Sequence, residues 1–412
     1  MKLQQHHTAH LTYCSNIHPG ESWNDHFNQI KTYLPKLKKR LSPDRPFGTG
    51  LRLSAKAAEE LKKPEQLEAF KRWLSEENLY LFTMNGFPYG SFHGEKVKDN
   101  VYKPDWTTTD RLNYTLNLIS ILSDLLPAGT DGGISTSPVS YKYWFDDDES
   151  RQEVIKNALP NVAEAARRMR KVKEETGKTI HLDIEPEPDC ILENVNETVR
   201  FFTDSLFPVG GRYLSDRYSY SADVAADLLC DHIRLCYDTC HFALEYEDPS
   251  VAIQSIKDAG VKIGKTQVSS ALKVEWTNTE SSAEEIKQKL KNFDEPVYLH
   301  QVIELRKDGS FYQYRDLPDA LERMDSAAAK EWRIHFHVPV FVDTYGGLKS
   351  TQDHIREALP LLLDKTGCNH YEIETYTWDV LPEGLKADLA DSIEREYRWT
   401  IDRIDELKQK EL

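Results

Sequence analysis

Carboxylates and imidazoles gather at the ends of apolar, β-prone runs in this chain. Ile180-His-Leu-Asp-Ile-Glu-Pro-Glu-Pro-Asp-Cys190 carries Asp183 and Glu185 on one face, because side chains two apart share a face in a strand. It then stops at Pro186 and Pro188, which cannot donate into a sheet ladder. Three later runs end in similar fashion: Arg234-Leu-Cys-Tyr-Asp-Thr-Cys-His241, Arg333-Ile-His-Phe-His-Val-Pro339 and Tyr371-Glu-Ile-Glu-Thr-Tyr376. Brought together, their ends would repel and take up protons unless a cation neutralised them. Carboxylates with one or two imidazoles suit Mn²⁺, Mg²⁺, Co²⁺, Fe²⁺ or Zn²⁺, and the lack of Cys ligands argues against a structural zinc knot. One divalent metal at these strand ends is the expected cofactor.

Taken singly, each residue has a plainer explanation. Asp238 could cap a following turn, His241 could be a packed histidine, and Glu185 could pair with a neighbouring Lys or Arg. His335 and His337 share a face, so one could ligate while the other sits deeper or touches substrate. Of Glu372 and Glu374, the second lies nearer the strand's C-terminal end. Gln267 and His300 are weak signals alone, as are Arg52 and Lys265 as phosphate holders. Trp378, Tyr376, Phe242 and Tyr89 could pack in the core or wall a sugar ring. Four strand ends agreeing in chemistry is harder to explain by chance than any one of them.

The elements that must position these residues alternate from end to end. Strands are expected at His10–His18, Phe47–Leu53, Leu79–Asn85, Gly132–Ser137 and 180–185, then at the run ending in Asp238, Lys262–Ser269, Val297–Val302, and the His335 and Glu374 runs. Amphipathic stretches lie between them, several with clear boundaries: Ser54 caps a helical run that Pro64 must kink or divide, Gly177 closes Glu153–Thr176, and Asp248-Pro249 opens another. The stretch from Glu193 to Leu206 reads as a helix running toward a Gly210-Gly211 loop. Alternation without a composition break implies parallel strands and covering helices in one domain spanning 1–412. About eight units make an α/β fold of the closed (β/α)8 TIM-barrel type the first choice, ahead of an open doubly wound sheet. The surplus strands imply inserted loops and one extra βα unit. A long loop is expected at 86–105, an inserted segment around 270–330 and a C-terminal helix at 385–407. In a barrel the C-terminal strand ends share one mouth, which would hold Glu185, Asp238, His241, Gln267, His335, His337 and Glu374.

Composition removes other classes. The net charge of −16 opposes nucleic-acid binding, and no apolar run approaches a membrane span. Six cysteines without C-x-x-C pairs read as reduced thiols, and a cytoplasmic protein without a secretory signal is expected.

The D-x-x-H element in Cys236-Tyr-Asp-Thr-Cys-His241 and the H-x-H of His335-Phe-His337 resemble the xylose-isomerase-like superfamily of TIM barrels. That resemblance implies metal ligands Glu185, Asp238, His337 and Glu374. One departure stands out: counting forward from Asp238, the next strand offers Gln267 where the family has a His. His337 is preferred because imidazole is the stronger ligand, with Gln267 as the alternative. The strings HLDIEPEPDC, KTQVSSAL, YLHQVIEL, RIHFHVPVF, YEIETYTWDVLP and HLTYCSNIHPGESW are similar to the metabolite-traffic protein EboE family. This implies a setting in secondary-metabolite processing or export, and settles no reaction. The expected activity is isomerisation or epimerisation of a sugar, sugar phosphate or cyclitol-like polyol. Glu185 and Glu374 would act as acid and base, and His241, His335, His300, Arg52, Lys265 and Trp378 would contact substrate. A non-catalytic metabolite carrier and an endonuclease-IV-type metallohydrolase, for which His18, His93 and His300 could add ligands, are the alternatives. A homo-oligomer is compatible with either.

Overall fold

Seven parallel strands arise in chain order before the topology changes: β1 (His10–Tyr13), β2 (Phe47–Arg52), β3 (Leu79–Asn85), β4 (Gly132–Thr136), β5 (Ile180–Ile184), β6 (Ile233–Asp238) and β7 (Ile263–Val268). Then follow β8 (Ala271–Glu275), β9 (Val302–Arg306), β10 (Phe311–Tyr314), β11 (Ala329–His337), β12 (Thr344–Tyr345) and β13 (Leu348–Ser350). The last strand, β14 (His370–Ile373), returns to the first group. The computed structural model describes all residues except 4–7, 91, 93–96, 277–281, 325–327, 382–386 and 410–412. His93 and the expected helix start at Leu385 lie outside the described residues; the C-terminal helix is described over Leu389–Gln409.

The first seven strands and β14 form one sheet in the order β1-β14-β7-β6-β5-β4-β3-β2, parallel throughout. Side chains join its two edges: Thr12 Oγ1 accepts from the Gly50 amide at 2.8 Å and Ser15 Oγ from the Arg52 amide at 2.7 Å. Gly50 is required here, because a Cβ would lie 1.9 Å from Glu372 Oε1. The result is a nearly closed eight-stranded (β/α)8 barrel.

The covering helices begin where local chemistry dictates. Ser22 and Asp25 form a reciprocal cap for Trp23–Leu41, Asp147 and Ser150 for Asp148–Thr176, and Gly177 ends the latter at φ +72°. Pro64 does divide the run after Ser54, starting a second helix at its first position. On β5, Ile180, Leu182 and Ile184 are buried toward the helices, leaving His181, Asp183 and Glu185 for the interior. Among the described residues no helix is long and apolar enough to cross a membrane.

Three expectations need correction. The first strand stops at Tyr13 and the chain turns through Ser15–Ile17, with Thr12 and Ser15 serving the barrel seam instead. The expected loop at Gly210-Gly211 is continuous wide-turn helix over Phe201–Gly210 running into Gly211–Tyr218. The surplus strands do not make a further βα unit. They form an antiparallel sheet, β10-β9-β11-β8-β13-β12, inserted between β7 and β14. A tight turn at Asp308-Gly309, with Gly309 at φ +86°, reverses β9 into β10. The helix Leu317–Arg323 before β11 gave the sequence its βα appearance. The barrel's seventh strand is therefore β7, which carries Gln267, and the His335 strand lies in the inserted sheet.

Candidate metal centre

Asp238 ends β6 and caps the short helix Thr239–Leu244. Its Oδ1 accepts from the amides of Cys240 and His241, at 2.7 and 3.0 Å, and from Ser269 Oγ at 2.6 Å. Its Oδ2 is buried with no hydrogen-bond partner. The capping role that the sequence allowed is therefore filled by Oδ1, and Oδ2 takes no part in it. Glu185 follows β5, and its Oε2 is likewise buried and unpartnered. Glu374 follows β14, where Asn16 and Asn85 donate to its Oε1 at 2.7 and 2.9 Å. Oxygens of Glu185, Asp238 and Glu374 lie within 4.8 Å of one another.

Three histidines are oriented by their Nδ1 atoms. Nδ1 of His241 donates to the Pro186 carbonyl at 2.9 Å, and Nδ1 of His337 to the Glu374 carbonyl at 2.7 Å. Nδ1 of His335 donates to Gln301 Oε1 at 2.7 Å, while Gln301 Nε2 donates to the Pro188 carbonyl at 3.1 Å. A carbonyl can only accept, so each ring keeps its lone pair on Nε2, as a metal-ligating histidine requires. Nε2 of His335 and of His337 is buried without a partner. Ligand atoms of Asp238, His241 and His337 come within 4.8 Å of one another, as do those of Glu187, His241 and His335.

The electrostatics agree with this geometry. Burial, reinforced by Asp238, pushes the Glu185 carboxyl well above its usual range; burial and Glu185 do the same to Glu374, and burial raises Glu187. Burial lowers His241, takes His337 down to about 4 and holds His335 well below an ordinary imidazole. Neutral rings and crowded acids with orphaned atoms form a donor set that a divalent cation would satisfy.

A cavity of about 60 Å³ adjoins these groups, lined by Glu185, Glu187, His241, His335, His337 and Glu374 below. Phe87, Phe92, Tyr102, Tyr298 and Tyr376 wall it. The Val97 and Lys98 amides both donate to the Val297 carbonyl, and Lys98 Nζ lies 2.6 Å from Asp316 Oδ2. The described part of segment 86–105 is thus clasped to the insertion above the site.

No family model matches the chain and no curated protein matches it. Solved structures do. The IolI protein with a bound zinc atom aligns at 11% identity and a TM-score of 0.49, over 96% of this chain and 98% of that one. A xylose isomerase-like TIM-barrel protein from Mycobacterium smegmatis in complex with magnesium aligns at 12% identity and 0.46, over 97% of each chain. The probable 3-DHS dehydratase AsbF from Bacillus anthracis aligns at 12% and 0.43, over 94% of this chain and 97% of that one.

Several expected substrate contacts fall elsewhere. Lys265 Nζ is 2.6 Å from Glu372 Oε2 in the barrel's centre, both side chains fully buried. Arg52 is spent on the carbonyls of Pro88 and Gly90, with Glu21 at 3.7 Å. The Nδ1 of His300 donates to the His335 carbonyl and its Nε2 meets Glu295 at 2.8 Å, so it supports β11 and does not line the cavity. Trp378 packs into the main core and is absent from the cavity lining. Arg52, Lys265 and His300 were weak signals alone, and each is taken up by partners away from the cavity; Trp378 packs in the core, as its alternative explanation had it. Gln267 sits opposite Asp238 on one side and Glu372 on the other, buried within the sheet. Sequence reasoning missed Asn16 and Asn85. Their signal was a polar residue just past β1 and at the end of β3, weaker than a charge.

Proposed function

We propose that this protein is a metal-dependent isomerase or epimerase of a sugar, sugar phosphate or cyclitol-like polyol, acting in processing of a secondary metabolite. The observation that carries this reading is the trio Glu185, Asp238 and Glu374, with orphaned, buried oxygens on Glu185 and Asp238, beside an aromatic-walled cavity. Glu185, Asp238, His337 and Glu374 would hold the cation, with His241 also at ligand distance from Asp238 and His337. When bound, the ion supplies Lewis acidity toward a carbonyl and its neighbouring hydroxyl. Glu185 takes the proton from the carbon beside that carbonyl, and Glu374, held by Asn16 and Asn85, returns one to the adjacent carbon. His335 lines the cavity, and its unpartnered Nε2 accepts from a substrate hydroxyl. The aromatic walls exclude water and present faces to the ring's C–H groups.

The test is proton exchange. The zinc-, manganese- or cobalt-loaded protein is incubated in heavy water with aldoses, ketoses, their phosphates and keto-cyclitols, and followed by NMR. Deuterium entering carbon beside the carbonyl, lost in Glu185→Gln, supports the reading. Tight binding of one of these compounds without exchange instead supports a metabolite carrier.

The second cluster, Glu187, His241 and His335, favours one further reading, a phosphoester hydrolase with more than one metal position. The charge of −16 opposes a nucleic-acid substrate. Cleavage of abasic-site DNA by the zinc- or manganese-loaded protein would establish it.

A further inference from the structure

The two-residue period that sends Glu185 and Glu374 to the barrel's mouth sends His181 and His370, four residues earlier on the same strands, to its opposite end. Asp131, just before β4, joins them there. Its Oδ1 is 3.3 Å from His370 Nε2 and its Oδ2 is 3.7 Å from His181 Nε2. The two rings stack with centroids 5.0 Å apart, and ligand atoms of all three residues lie within 4.8 Å of one another.

Asp183 orients this group. Its Oδ1 accepts from His181 Nδ1 at 2.7 Å, which leaves the His181 lone pair on Nε2, facing Asp131. At 3.7 Å that pair of atoms is too far apart for a hydrogen bond, and His181 Nε2 has no partner although the ring is fully buried. Nδ1 of the fully buried His370 is also without one. A carboxylate accepting from one ring nitrogen while the other points at a shared centre is the arrangement of a carboxylate–histidine–metal triad.

The barrel wall is cleared for this group. A Cβ on Gly133 would lie 2.6 Å from His370 Nδ1 and 2.7 Å from Asp183 Oδ2. One on Gly264 would lie 2.0 Å from Asp183 Oδ1 and 2.7 Å from His181 Nδ1. Gly264 is the extra residue where the register between β6 and β7 shifts. Access comes through Asp131, 29% exposed in its side chain, which with His10, Arg45 and Tyr80 lines a cavity of about 1020 Å³ at this end. Arg234 Nη1 lies 3.8 Å from Asp131 Oδ2, and its Nε is already donating to the Asp231 carbonyl.

We propose that Asp131, His181 and His370 form a second, structural binding site for an imidazole-preferring divalent cation such as Zn²⁺, Co²⁺ or Ni²⁺, with Asp183 as the outer partner that fixes His181. The ion fastens β5, β14 and the segment entering β4 at the end of the barrel remote from the mouth. Removing Asp183's orienting bond weakens such a site about 10–100-fold.

The full-length protein is stripped with chelator, reloaded with Zn²⁺ alone, desalted and assayed for metal per chain. Two classes of bound zinc are expected. Asp131→Asn and His370→Gln each lose one class and keep the other, whereas Glu185→Gln and Asp238→Asn lose only the complementary class. Asp131→Asn decides the matter should the buried histidine variant fail to fold, since that side chain reaches solvent. Cobalt absorption or X-ray absorption of Glu185→Gln should show imidazole ligation that vanishes in Glu185→Gln/Asp131→Asn. Zinc content unchanged by Asp131→Asn, or no zinc left in Glu185→Gln or Asp238→Asn, overturns the proposal. Loss of the mouth class alone leaves it standing, so its failure and that of the mouth site are separable.

Discussion

Lys265 Nζ and Glu372 Oε2 meet at 2.6 Å in the middle of the barrel, with neither side chain reaching solvent. Burial opposes the charge on Lys265, yet Glu372 and the neighbouring Cys236 and Cys14 hold its pKa above that of an ordinary lysine. Breaking a buried pair strands a charge at a cost of about 3–5 kcal/mol, whereas replacing both partners by apolar groups is close to neutral. Lys265→Met or Glu372→Gln should each lower stability by about that amount in urea unfolding, and Lys265→Met/Glu372→Met by much less. Equal losses in the single and double variants would show that the pair is not the unit of stability.

Cation binding at the mouth should release protons. The Glu185 and Glu374 carboxyls are raised by burial and by their acidic neighbours, so the cation-free folded protein binds more protons than the loaded one. Affinity should therefore rise with pH. Because a raised carboxyl pKa makes the folded state bind more protons than the unfolded one, these two carboxyls should cost the stripped protein stability as pH rises above the ordinary carboxylate range. The depressed imidazoles of His241, His335 and His337 contribute the opposite slope below the ordinary imidazole range. Calorimetric titration of Mn²⁺ in buffers of different ionisation enthalpy reads the proton count directly, and a count of zero contradicts the ligand assignment.

Asn16 and Asn85 both donate to Glu374 Oε1. Asn85→Ala removes one bond to a charged group, worth about 1.5–3 kcal/mol. Outer partners of this kind change metal affinity by about 10–100-fold. Competition against a fluorescent chelator should show a loss in that range, with far-ultraviolet circular dichroism unchanged; affinity equal to wild type would free Glu374 from dependence on these amides.

The Lys98–Asp316 pair clasps the covering segment to the insertion, with both side chains less than a fifth exposed. Lys98→Met should loosen it by about 1 kcal/mol, a factor of about five in local opening. Hydrogen exchange at the amides of Val97 and Lys98, which donate to Val297, should accelerate accordingly while β5 amides do not change. Uniform acceleration would instead mean global destabilisation.

Much of the site was legible in the chain. Glu185, Asp238 and Glu374 stand at the ends of apolar runs, and in a parallel barrel all such ends share one mouth by topology alone. Asp238's capping role was legible too, from the helix-prone residues that follow it. The histidines were harder. His335 and His337 looked like part of a barrel strand because a helix precedes them, but antiparallel pairing of β11 with β8 and β9 is a long-range choice with no local signature. The fates of Lys265 and Arg52 were hidden for the same reason: their partners, Glu372 and the carbonyls of Pro88 and Gly90, are remote in sequence.

By itself, the sequence determined which residues face inward along each strand, since the two-residue period of extended backbone follows from the stereochemistry of the chain. It also determined where most helices begin, since caps are local. Tertiary structure alone decided which inward residues meet. Register across β7 and β14, the glycines that clear space at 50, 133 and 264, and the return of β11 to the mouth all depend on packing between segments far apart in the chain. That packing joins His337 to Asp238 at one end of the barrel and Asp131 to His181 and His370 at the other.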